Sequence, residues 1–151
     1  MFCYQCEQTA KGVGCTVSGV CGKNPEVAGL QDLLVHACKG LSMYAARARK
    51  LGVRDHEADV FTVEAMFATL TNVNFDPAAL RGFISKAVRL RDRVKAEYED
   101  ACKGSGRAPE TLAGPAAWMP SADARGMLRQ ADEVAILKRK QSLGDDVTGL
   151  Q

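Results

Sequence analysis

An all-α fold is expected from three observations. Three segments carry apolar residues at steps of three and four, two of them open on an Asn-Pro or Asp-Pro pair, and the connections between them are short. The predicted architecture is a three-helix bundle over 25–103. An irregular cysteine-rich loop over 1–24 precedes it. A Gly/Pro-rich connection, a short helix and a C-terminal element follow over 104–151.

Residues 1–24 show no sustained period of either 2 or 3.6, and Gly12, Gly14, Gly19 and Gly22 argue against regular structure there. Asn24, Pro25 and Glu26 make a helix start: an N-cap, a proline at the first helical position and an acid in the first turn. The apolar face Leu30, Leu33, Leu34, Ala37, Cys38, Leu41, Tyr44, Ala45 and Ala48 carries this helix toward Leu51, with Gly52 as the stop. A second helix is predicted from about Glu57 to Asn72, with Val60, Val63, Phe67 and Leu70 as its buried stripe and Phe61 and Met66 broadening it. Asp76 and Pro77 repeat the start signal. Leu80, Phe83, Ile84, Ala87, Leu90, Val94 and Tyr98 then trace a third helix to about Lys103.

From Gly104 to Pro120 glycines and prolines mark a long surface connection, with Trp118 as its anchor on the bundle. A short helix from about Ala122 to Val134, capped by Ser121, follows. Val134 to Leu137 reads as a short strand or as more helix. Lys138, Arg139 and Lys140 form a basic patch ahead of a polar tail. Glu26-Val27-Ala28-Gly29-Leu30-Gln31 resembles Asp146-Val147-Thr148-Gly149-Leu150-Gln151, as if a second copy of the first helix begins at the end of this chain.

Composition narrows the function classes. Apolar residues are 46% and charged residues 25%, which suits a folded domain, and 20 basic against 18 acidic residues leave a net charge of +2. That balance calls for neither nucleic acid nor anionic lipid. No apolar run approaches the roughly 18 to 20 residues that cross a bilayer, and no leader is evident, so the expected location is cytoplasmic.

Four of the six cysteines crowd the first 21 residues as Cys3-x2-Cys6-x8-Cys15-x5-Cys21. A disulfide scaffold would spread its cysteines to staple distant segments, whereas clustered reduced thiols suit zinc or an iron-sulfur cluster. Zinc ribbons show a second C-x2-C, and compact ferredoxins show C-x2-C-x2-C-x3-C; this chain has neither. The wide spacing suggests an object bulkier than one ion. The nearby glycines permit positive φ and let amides approach the sulfurs. Phe2 and Tyr4 flank Cys3 and either shield a cluster or pack on the first helix. Lys11 and Lys23 read best as solvated lysines on a polar loop, with added positive charge beside a cluster as the sharper alternative.

At this motif the chain resembles the hybrid-cluster proteins, also called prismane proteins, which include hydroxylamine reductases. The residues concerned are Met1-Phe2-Cys3-Tyr4-Gln5-Cys6-Glu7-Gln8-Thr9-Ala10, Gly14-Cys15-Thr16-Val17 and Val20-Cys21-Gly22-Lys23. Further on they are Leu30-Gln31-Asp32-Leu33-Leu34, Lys39-Gly40 and Phe67-Ala68-Thr69-Leu70-Thr71-Asn72. The resemblance implies that Cys3, Cys6, Cys15 and Cys21 ligate a [4Fe-4S] cluster; relatives with longer loops between these cysteines carry [2Fe-2S]. It also implies a longer parent with two successive helical bundles and two α/β domains. A hybrid Fe-S-O cluster in those later domains reduces hydroxylamine to ammonia or, in some members, nitric oxide. This chain would then be an electron-transfer module between a redox donor protein and the remaining domains, with no catalytic residue of its own. The rival reading is a structural four-thiolate zinc module.

The other candidates read as structural. Cys38 and Cys102 sit on helix faces as core thiols, His36 and His56 are isolated from metal-binding partners, and Lys86, Arg89, Arg91, Arg93 and Lys95 make a solvated basic face on the third helix.

Overall fold

The computed structural model describes residues 1–149. Its helices are α1 (Pro25–Lys50), α2 (His56–Ala68), α3 (Pro77–Gly104), α4 (Ala124–Val134) and α5 (Ile136–Gly149), with single 3-10 turns at Ala10–Gly12 and Gly114–Ala116. The fold is all-α, and among the described residues the only β pairing is an isolated antiparallel bridge between Cys3 and Cys15.

Local chemistry starts α1 and α3 where the Asn-Pro and Asp-Pro pairs suggested. Asn24 Oδ1 accepts from the Val27 amide at 2.8 Å, and Asp76 Oδ1 accepts from the Ala78 amide at 2.8 Å; each satisfies a donor that the first helical turn leaves open. Asp55 accepts from Ala58 N at 3.0 Å and also meets Arg93 of α3 at 2.6 Å, so one carboxylate both caps α2 and ties it to α3. Leu30, Leu33, Leu34 and Leu41 of α1 join Leu80, Ile84, Leu90 and Val94 of α3 in one core. Burying each such side chain is worth about 1.5–3 kcal/mol. Gln31, buried on α1, donates to the Asn74 carbonyl at 3.1 Å and ties the turn before α3 to the bundle.

The second helix differs from its expectation in two ways. It ends at Ala68, where Thr69 turns back onto the Met66 carbonyl (2.7 Å), and Asn72 takes a left-handed conformation (φ 63°) that asparagine tolerates. Its buried face is Ala58, Phe61, Ala65 and Ala68, while Val63 and Phe67 are 70% and 60% exposed and Val60 and Leu70 also face outward. The helix is apolar on both sides. Small residues let it lie close to its neighbours, with Phe61 stacked on Phe83 at 5.9 Å.

The connection after α3 crosses α1 at Gly40, where a Cβ would stand 2.8 Å from the Pro115 carbonyl carbon; only glycine admits that backbone. Trp118 packs on the core and meets His36 edge-on at 5.5 Å, as an anchor should. The solvated basic face of α3 needs a correction at Arg91, while Arg93 stays exposed within an ion-pair cluster. Arg91 is 4% exposed, donating to the Trp118 carbonyl and to Asp92 at 2.7 Å, and Arg93 is held by Asp55 and Glu57.

α4 begins at Ala124, not Ala122, because Asp123 rather than Ser121 caps it: Asp123 Oδ1 accepts from Gly126 N at 2.7 Å, and Ser121 Oγ donates to Asp123 Oδ2 at 3.1 Å. It packs on α1 through Met127 and Ala131. The strand considered at Val134–Leu137 is absent. Ala135 takes an extended conformation (ψ 141°) for one residue, and α5 then carries the basic patch. At Gly144 (φ 79°, ψ 171°) helical geometry breaks before Asp146 and Val147. The last two residues of the suspected repeat, Leu150 and Gln151, lie outside the described residues.

Candidate metal centre

The cysteine loop precedes α1 and is closed on itself by backbone pairing. Cys3 and Cys15 exchange hydrogen bonds, N–H to carbonyl, at 3.0 and 2.8 Å, which makes two cysteines twelve positions apart into direct neighbours. The chain between them turns through Ala10–Gly12 and arrives at Gly14, where φ is 157° and a Cβ would lie 2.9 Å from Phe2 Cζ. Phe2 therefore rests on bare backbone, and its ring also meets Tyr4 at 5.4 Å. The segment 16–23 closes through Gly19 N–H to the Lys23 carbonyl at 2.7 Å and runs directly into the Asn24 cap.

All four loop cysteines are free thiols; Cys15 is buried, and Cys3, Cys6 and Cys21 are partly accessible. The amides of Ala10 and Val20 directed at Cys15 hold its thiol below the usual range; burial opposes them, and Lys23 helps. Burial in the bundle pushes the Cys38 thiol up to about 12. The thiolate is the form that binds metal, and burial disfavours it at Cys38 while the amides favour it at Cys15. Cys102 is likewise a buried core thiol.

No three Cys, His, Asp or Glu side chains among the described residues converge at the spacing that grips one ion. The donor set nevertheless fits a thiolate-bound group: four free thiols on one short loop, with the backbones of Cys3 and Cys15 paired and amides directed at Cys15. His36 is not part of this set. It sits on α1 against Trp118, with burial, Lys39 and Arg139 lowering its basicity.

One loop residue departs from its solvated expectation, and Asp32 beside the loop is not singled out by the sequence as a functional candidate. Lys23 is not solvated: it is 2% exposed, with Nζ 3.1 Å from Gln5 Oε1, 3.9 Å from Cys3 Sγ and 5.9 Å from the Phe75 ring centre. Lys11 is exposed, as expected. A cavity of about 300 Å³ lies between the loop, α1 and α5, lined by Phe2, Cys3, Lys23, Asp32 and Arg139 among others. Burial pushes the Asp32 carboxyl up to about 6, against the pull of Arg139, Lys23 and the N-terminal amine.

No helix among the described residues is long and apolar enough to cross a membrane. A family model described as the Prismane/CO dehydrogenase family matches residues 1–151. The hydroxylamine reductase of Rhodospirillum rubrum is 50% identical over 151 residues, all of this chain and 28% of its own length. That of Methanocella arvoryzae is 52% identical over 151 residues, 27% of its length. That of Geobacter sulfurreducens is 51% identical over 138 residues, which is 90% of this chain and 25% of the relative. The chain thus spans about a quarter of the length of the curated relatives it matches.

Proposed function

The chain belongs to the Prismane/CO dehydrogenase family, and on that premise we propose that residues 1–24 hold a [4Fe-4S] cluster on Cys3, Cys6, Cys15 and Cys21. The observation that carries the reading is the closed loop itself, in which a backbone bridge sets Cys3 beside Cys15 among four free thiols. Bound there, a cubane supplies a one-electron relay. The chain's residues do the rest: thiolates hold iron, the Ala10 and Val20 amides favour the anionic form of Cys15, and Phe2, packed over Gly14, keeps water from one side.

In the longer parent the relay would take electrons from a redox donor protein and pass them to a hybrid Fe-S-O cluster in domains beyond this segment. The parent reaction would be reduction of hydroxylamine, NH2OH with two electrons and two protons giving NH3 and H2O, or of nitric oxide in some members. A second helical repeat would begin near Asp146, after the Gly144 break. Six unpaired thiols suit a reducing compartment such as the cytoplasm.

Iron and sulfide analysis of anaerobic protein, with EPR after reduction, tests the reading. Four irons and four sulfides per chain with a reduced-state signal are expected, falling sharply when any one of the four cysteines becomes serine. Two irons and two sulfides would make the group a [2Fe-2S] cluster. One zinc and no iron would replace the relay with a structural zinc module.

A further inference from the structure

We infer that Lys23 is the counter-charge of the cysteine loop, an ammonium sealed against Cys3 that offsets negative charge on the sulfur-bound group and thereby raises its reduction potential. The inference rests on the cluster reading above. A lysine is almost never fully buried unless it is paired. Lys23 is 2% exposed, yet it makes no salt bridge among the described residues. Its polar contacts are a neutral amide oxygen, Gln5 Oε1 at 3.1 Å, and the Cys3 sulfur at 3.9 Å, with the Phe75 face at 5.9 Å.

Asp32 shares the cavity and feels the charge of Lys23, but it makes no hydrogen bond or ion pair with the ammonium among the described residues. The Cys3 sulfur is the ionisable group in direct contact with it. Each electron delivered by an external donor adds one negative charge to a thiolate-bound cluster. A cation held nearby in a site of low dielectric favours that uptake, and net charge and contacts at the sulfurs are among the recognised determinants of cluster potential. Lys11 cannot do the same, since it is exposed and its charge is screened.

The test compares wild type, Lys23→Met, Lys23→Arg and, as a control, Lys11→Met. All are loaded anaerobically with iron and sulfide as the 151-residue chain, checked for helicity by circular dichroism, and titrated with EPR detection. Lys23→Met should load as wild type does but take up an electron about tenfold less favourably, a fall of 59 mV for a one-electron couple. Lys23→Arg and Lys11→Met should stay near wild type. A Lys23→Met cluster with wild-type potential overturns the inference and leaves the cluster reading standing, whereas wild type that binds no iron overturns both. If Lys23→Met retains no iron, Lys23→Arg decides. Iron kept by arginine supports the charge role, and iron lost from both makes Lys23 a packing residue and sinks the proposal.

Discussion

Replacing Phe61 and Phe67 separately by alanine measures which side of α2 the bundle uses. Phe61 is 1% exposed, stacks on Phe83 at 5.9 Å and lies under the Lys86 ammonium at 5.0 Å, whereas Phe67 is 60% exposed. Truncating a core phenylalanine costs about 3–5 kcal/mol, counting lost transfer energy and the cavity left behind. A surface truncation stays within about 0.5 kcal/mol. The two variants should therefore differ by about 3 kcal/mol, roughly two decades in the unfolding constant. Against the 5–15 kcal/mol that holds an ordinary domain together, Phe61→Ala removes a large part and Phe67→Ala almost none. Urea unfolding followed by circular dichroism reads the difference as a shift in midpoint at unchanged slope. Equal losses, or a larger loss for Phe67→Ala, would refute the assignment of the buried face and restore the Val60–Val63–Phe67–Leu70 stripe as the core side.

Asp32 should make stability depend on pH. With its carboxyl at about 6 against an ordinary 3.8, the folded chain keeps a proton that the unfolded chain has released between those values. The contribution is whole below about 3.8 and is lost as pH rises through 6, to a total of about 3 kcal/mol. Asp32→Asn should thus gain on wild type between pH 4 and 7 in urea titrations, and a constant gap would contradict this. Gly40→Ala forces the 105–123 connection off α1, costing about 1–3 kcal/mol in overpacking. Trp118, the single tryptophan, should report it by red-shifted fluorescence with a lowered Tm, and unchanged emission would show that the approach is not tight. Arg91→Met leaves the Trp118 carbonyl without its donor and should cost about 1–3 kcal/mol with the same fluorescence change, while exposed Arg89→Met should leave both readouts as they are.

What could be read without coordinates was what local chemistry decides. Asn24-Pro25 and Asp76-Pro77 begin helices because cap and proline act within one turn, and the Leu30 and Leu80 stripes run long enough for one face to dominate. α2 misled because both its faces are apolar. The periodic pattern of Val60, Val63, Phe67 and Leu70 outweighed alanines whose value is that neighbouring helices can come close. Lys23 and Arg91 looked like surface cations, since no residue adjacent in sequence reveals Gln5, Phe75 or the Trp118 carbonyl. For the loop, the sequence shows four cysteines crowded on one short segment, but the pairing of Cys3 with Cys15 depends on how the eleven residues between them turn.

That pairing bears on the order in which the loop would take up the cluster proposed for it. Bringing the ends of a flexible segment together carries an entropic penalty that grows with the logarithm of its length, and the backbone bridge meets the largest such penalty before any inorganic ion arrives. If the loop holds the cluster proposed above, Cys3 and Cys15 would already be backbone neighbours, and only the shorter segments to Cys6 and Cys21 would remain to be gathered. Assembly would then not need the whole loop to close at once.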